Sequence, residues 1–206
     1  PSLAGLAERY GTTPDVARRA VEVLRAEGLL TTRQGSGIYV RSFQRITRST
    51  PERLARARWA AGQSIHDADT GPRTCAVDIV VAEQQATGAV ATTLGLAPGQ
   101  PVLTRTGRFL VDERPVQLAT SYLPLDIVGG TRVAYTDTGP GGTYARLADL
   151  GHEPARFTER LTARAPRPEE VDRQGLTSSV GTLVIEITRE AYTAADGCVE
   201  VNRMVL

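Results

Sequence analysis

Lysine is absent from this sequence: all 24 basic side chains are arginine, which reads as a coding bias rather than a functional choice. Cysteine is nearly absent. Cys75 and Cys198 stand far apart, and only His66 and His152 could join them, so reduced thiols, no metal and no cofactor are expected. No run approaches the roughly 18 consecutive apolar residues of a membrane span, and the first residues lack the charged and apolar regions of a secretory leader. The expectation is a cytoplasmic protein with no membrane partner. Catalytic sets are missing as well: no Ser/His/Asp arrangement and no paired histidines can be assembled. His152, alone in "LGHEP", reads as a surface or capping residue.

What is present is a 206-residue chain that is 41% hydrophobic, enough for one large domain or two modest ones with a proper core. The net charge of +1 hides a partition. Residues 1–60 hold 11 arginines against 5 acids, and residues 61–206 hold 13 against 18. A basic front and an acidic rear suit a polyanion-binding module joined to a part with another task.

In the front, Leu3, Leu6, Ala7 and Tyr10 share one helical face, with Ser2 as N-cap and Gly11 as stop. After Thr12 and Thr13, Pro14 suits a first helical position, and Ala17, Ala20, Val21 and Leu24 form the stripe of a second helix ended by Gly28. Two helices about three residues apart read as helix-turn-helix. The outward side of the second helix carries Asp15, Arg18, Arg19, Glu22 and Arg25. Strands over Leu30–Gln34 and Ile38–Arg41, turned by Gly35, Ser36 and Gly37, complete a wing whose glycine tip can approach a sugar-phosphate backbone closely.

The strings "PSLAGLAERYG", "ARRAVEVLRAEGLL" and "RQGSGIYV" resemble the winged-helix domain of GntR-family transcription regulators over residues 1–42; in that family one more helix usually precedes the first string. The resemblance implies double-stranded operator DNA as partner. It places Thr13, Pro14, Asp15, Arg18 and Arg19 at the reading end of the recognition helix, with Arg18 as candidate for a bidentate guanine contact. Arg9, Arg19 and Arg33 are candidates for phosphates, and Gln34, Gly35, Ser36 and Gly37 for the wing tip. The family often places Arg where this chain has Ala4 and Pro14, so a departing operator is expected. A palindrome read by a homodimer would double the contacts.

Residues 43–75 read as a connection, with Thr50 and Pro51 opening a short helix through Trp59, a packing anchor. Beyond it, "LGLAPGQPVLTRTGRFLVDERPVQLATSYLP" and "QGLTSSVGTLVIEITREAYTAADGCVEVNRMVL" share an order: helix, Gly-Leu, loop, long strand, turn, returning strand. Val102, Thr104, Thr106 and Arg108 oppose Leu103, Arg105, Gly107 and Phe109, as a sheet covered on both sides would have them. Between the repeats lie a glycine-rich loop at 139–142, which suits either an anion or a tight turn, and helices from Thr143 to Leu150 and from Pro168 to Gln174.

"GQPV", "RPVQLATSYLP", "GGTYARL" and "GCVEVNRMVL" resemble the UTRA effector domain of the HutC-type branch, over residues 76–206. The expected fold class is α+β: an N-terminal winged helix-turn-helix plus a C-terminal antiparallel-sheet, chorismate-lyase-like domain that dimerises and holds a small-molecule effector. Where phosphosugar-binding members carry pocket arginines, this chain has Gly107 and Phe109. Ala119, Gly142 and Leu206 replace a Glu, a Ser and a Tyr, and only Tyr144 and Glu200 remain. A phosphosugar is therefore not expected. Candidate effector contacts are Arg105, Phe109, Gln117, Ser121, Tyr144, Arg189, Glu200 and Asn202. The expected function is a ligand-released repressor and not an enzyme; the alternatives are a small-molecule-binding module and a lyase-like enzyme of the same fold.

Overall fold

The computed structural model describes residues 1–27, 29–33, 37–40, 46–176 and 182–206. The chain divides into two compact units, Pro1–Ile46 and Thr47–Leu206. No helix among the described residues is long and apolar enough to cross a membrane.

In the first unit, α1 (Leu3–Arg9) starts where the Ser2 hydroxyl accepts from the Gly5 amide at 3.1 Å. Helix α2 (Pro14–Ala26) starts where Thr13 Oγ1 accepts from the Val16 amide at 3.3 Å, with Pro14 in its first turn. Each cap satisfies an amide that the helix cannot. The wing is β1 (Leu30–Arg33) paired antiparallel with β2 (Gly37–Val40), and the Ile38 amide donates to the Pro1 carbonyl at 3.2 Å. Ala7, Ala17, Val21 and Ile38 are buried. The expected stripe is only half realised: Ala20 and Leu24 are exposed, because this small unit packs a single row of α2. Gly28, Gln34, Gly35, Ser36 and Arg41 lie outside the described residues.

The second unit opens with three short helices, α3 (Thr50–Arg53), α4 (Arg56–Ala60) and α5 (Asp67–Thr70). The single helix expected from Thr50 to Trp59 is broken at Leu54 and Ala55. The expected connection over 43–75 is also, from Thr47 on, part of this unit. Its apolar residues explain why: Leu54 and Trp59 are buried in the same cluster as Leu103, Leu123, Tyr144 and Leu147. Trp59 is 2% exposed and meets the Tyr144 ring edge-on at 6.4 Å.

The sheet follows. β3 (Thr74–Gln85), α6 (Gly88–Leu94), β4 (Pro101–Val111) and β5 (Arg114–Pro124) form one half. After α7 (Leu125–Val128) and α8 (Gly142–Asp149), β6 (Arg156–Arg164), α9 (Pro168–Gln174), β7 (Val184–Tyr192) and β8 (Cys198–Val205) form the other. The strand order is β3-β4-β5-β8-β7-β6, so each half repeats strand, helix, hairpin, and the halves meet through antiparallel β5 and β8. The two hairpins are those expected; the outer strands β3 and β6 were not. Val90, Leu94, Val102 and Val201 pack α6 on one face. Trp59, Tyr144 and Leu147 cover the other.

The glycine-rich loop is a tight turn built against Trp59. Gly141 has φ +77°, its amide donates to the Gly62 carbonyl at 3.0 Å, and a Cβ there would run into the Trp59 carbonyl and lie 2.6 Å from Ala145 Cβ. Gly142 also has positive φ, +66°, but faces open space.

Two outcomes are expected in urea or thermal unfolding of the whole chain. Trp59→Ala costs about 3–5 kcal/mol, because a large buried side chain leaves a cavity. Gly142→Ala costs about 1–2 kcal/mol for the left-handed conformation alone, and Gly141→Ala costs measurably more, since it adds a backbone clash. Equal losses for the two glycines would contradict the packing described.

Candidate functional site

Strand register assembles the candidate site of the second unit. Glu159, Arg189, Asn202, Ser121, Arg105 and Val81 are successive Cα partners across β6, β7, β8, β5, β4 and β3. Directly opposed residues point to the same face of a sheet, so one row, polar on five strands and ending in Val81 on β3, crosses the whole sheet. Flanking it, Gln117 opposes Phe109, Ala119 opposes Gly107 and Met204, and Glu200 opposes Ala191. A cavity of about 510 Å³ lies over this face, lined by Arg105, Phe109, Gln117, Ser121, Tyr144, Arg189, Glu200 and Asn202, the residues singled out in the sequence.

Their states differ. The Tyr144 hydroxyl donates to Glu200 Oε2 at 2.7 Å. Burial, with Glu200 alongside, holds the Tyr144 pKa well above its ordinary value, so the phenol stays a donor. Asn202 Nδ2 donates to Ser121 Oγ at 2.8 Å. Gln117 Oε1 accepts from Arg48 Nη1 at 3.1 Å. Arg105 is committed to the wall: it donates to the carbonyls of Val133 at 2.6 Å, Tyr135, and Thr136 at 2.9 Å, which fixes the loop over the cavity. Arg189 is 1% exposed, and its guanidinium lies 5.8 Å from the centre of the Tyr144 ring.

The segment read as a connection supplies part of the wall, which sequence reasoning missed. Gly62, Ser64, Ile65, His66 and Asp67 line the cavity, and the His66 ring stacks on Phe109 at 4.2 Å with 29° between planes. Burial and the cations Arg53, Arg189 and Arg48 hold His66 well below the ordinary histidine range, so it is a neutral ring near pH 7. Behind it Arg53 pairs with Asp69 and is pushed down to about 10 by burial and by Arg48. Arg48 pairs with Glu159 at 3.2 Å. The signal available in the sequence was small: Leu54, Trp59 and Ile65 are the large apolar residues of the polar, Arg- and Ala-rich stretch 47–73, without helical spacing. His152 lies between α8 and β6 and does not line the cavity.

In the first unit, α1, the turn and α2 form the expected helix-turn-helix. Arg18 and Arg19 are exposed on α2, and Arg18 pairs with Asp15 one turn earlier. Both partners are more than half exposed, so the pair is weak and can be exchanged for another acceptor. Thr13 is the α2 cap, with its hydroxyl on the Val16 amide. Arg9 ends α1 beside the Tyr10 ring, 5.7 Å from its centre. Gly37 opens β2 with φ +107°, a conformation that favours glycine. Arg33 ends β1, and Gln34, Gly35 and Ser36 are not among the described residues.

The UTRA domain model matches residues 74–206. An uncharacterized HTH-type transcriptional regulator of Streptomyces coelicolor is 32% identical over 208 residues, spanning 97% of this chain and 76% of that protein. An HTH-type transcriptional regulator of Mycobacterium tuberculosis is 28% identical over 202 residues, spanning 94% and 68%. Among solved structures, one assigned to the GntR family of transcriptional regulators is 27% identical with a TM-score of 0.60, covering 100% of this chain and 82% of that one. PhnF from Mycobacterium smegmatis shares the fold at 22% identity and a TM-score of 0.59, covering 100% and 85%. A helix-turn-helix followed by a sheet of this topology, matched over nearly the whole chain by such regulators, places the protein in the UTRA-domain family of GntR-type HTH transcriptional regulators.

Proposed function

We infer that the protein is a repressor of the HutC-type branch that binds a palindromic operator as a homodimer and is released when a small molecule occupies the cavity of its second unit. The carrying observation is that the second unit holds a concave, partly open cavity of about 510 Å³, mixed in polarity and provided with a few placed polar groups, the usual composition of a small-molecule site. Likeness to HTH regulators over 97% of the chain supports this reading over a lyase-like enzyme. Gly107, Phe109, Ala119 and Gly142 line the cavity, and their lack of charge argues against a phosphosugar, because a buried phosphate needs paired cations. Exposed Leu161, Leu183 and Ile185 beside β6 and β7 support association with a second copy.

Arg18, Arg19 and Arg9, with the wing opened by Gly37, are the DNA contacts of this reading. Phosphate contacts give position and salt sensitivity, and the Arg18 fork gives sequence preference. Release requires the effector to favour the DNA-incompetent arrangement by about 1–3 kcal/mol.

Fluorescence anisotropy with duplexes from upstream of the protein's own gene tests the scheme. The intact protein prefers one palindrome over scrambled duplex at moderate salt, and a metabolite that raises the melting temperature releases it. No preference for any palindrome would overturn the reading. Arg18→Ala lowers affinity for the palindrome by roughly 5- to 150-fold, equivalent to about 1–3 kcal/mol, and leaves scrambled duplex little changed; equal losses on both would refute the guanine contact. Phe109→Ala raises the metabolite concentration for half-release about tenfold, which the same assay reads directly.

A further inference from the structure

Positive charge is in excess at one corner of the cavity. Arg48, Arg53 and Arg189 all act on the His66 ring, and two carboxylates answer them. Glu159 is held by Arg48 at 3.2 Å and by the Thr50 hydroxyl at 2.7 Å; Asp69 is paired with Arg53. Arg189 is left over. Its nearest carboxylate oxygen, on Glu159, is 4.0 Å away, Nη2 reaches only the Met204 sulfur at 3.9 Å, and Nε and Nη1 have no hydrogen-bond partner. This guanidinium is buried and lines the cavity. Directly opposite it in register, Asn202 Oδ1 is buried and also without a partner.

A buried guanidinium with no oxygen acceptor carries a desolvation cost that an anion in the cavity would relieve through charge-assisted hydrogen bonds. The orphaned acceptor beside it asks for a donor on the same molecule. We propose that the effector is a small monocarboxylate that seats its carboxylate on Arg189 and presents a hydroxyl or amino group, carried close to that carboxylate, to Asn202 Oδ1. A single carboxylate supplies the oxygen acceptors that Arg189 Nε and Nη1 lack. A phosphate monoester, with about −1.5 to −2 near neutral pH, would bring a second negative charge towards the buried Glu200 and the half-buried Glu159. Gly107 and Ala119 beside the polar row leave the volume in which the rest of such a molecule fits. This inference rests on the reading of the cavity as the effector site.

The test is isothermal titration of the full-length protein with lactate, mandelate and 2-hydroxyhexanoate, each matched with its amide, and with glucose 6-phosphate. At least one acid binds, its amide binds at least tenfold more weakly, and glucose 6-phosphate does not bind. Arg189→Gln loses at least tenfold in affinity for that acid, whereas Arg189→Lys, which keeps the charge, retains most of it and so separates loss of the anion contact from loss of the fold. Amides binding as well as acids, an undiminished Arg189→Gln variant, or no binding by any acid would each overturn the proposal. Acid binding without any change in operator affinity would sink the repressor reading and leave this one standing; operator release by an uncharged metabolite alone would do the reverse.

Discussion

The second unit depends on the five residue pairs that join β5 to β8, from Leu118 opposite Val205 to Tyr122 opposite Val201. They fuse two strand-helix-hairpin halves into one sheet. A slip of one residue there would turn Asn202 and Glu200 to the face packed by α6 and bring Arg203 and Val201 to the cavity, because side chains alternate along a strand. The same register puts Ser121 beside Asn202 and, one strand further on either side, Arg105 and Arg189. The chemistry of the cavity is thus a property of strand pairing before it is a property of any single side chain.

The parts of this fold that the sequence disclosed are those with a clean local signal. Both hairpins show as an internal repeat, and α9 shows in Pro168 and the Gly175 that follows it. The outer strands do not. β6 carries Arg156, Glu159, Arg160 and Arg164 at irregular spacing with little burial on either side, so it lacks the apolar period that marks a strand, and β3 has a bulge between Val77 and Val80 that breaks its period. α3 and α4 are four and five residues long, too short to show a helical stripe, so Leu54 and Trp59 looked like isolated apolar residues rather than core. The candidate contacts on β4, β5 and β8 were readable because alternation fixes which residues share a face. His66, Ile65 and Arg48 were not, since their place depends on long-range packing of an irregular segment.

The corner around Arg48, Arg53 and Arg189 is an unusual use of burial. Arg53 and Asp69 are nearly fully buried as a pair, and replacing such a pair by apolar residues is often neutral or better for stability. Their presence beside the cavity suits polarity rather than stability: burial, reinforced by Arg53, keeps His66 uncharged and stacked on Phe109, and with Asp69 taken up by Arg53 the Arg189 guanidinium has only the distant Glu159 carboxylate, 4.0 Å away.

The wall formed by residues 62–67 also bears on modular engineering. A chimaera that grafts this second unit onto a foreign first unit at residue 74, where the UTRA match begins, would discard Trp59, the His66 stack and one side of the cavity. A junction at Ile46–Thr47, where the two units part, transplants the chamber whole.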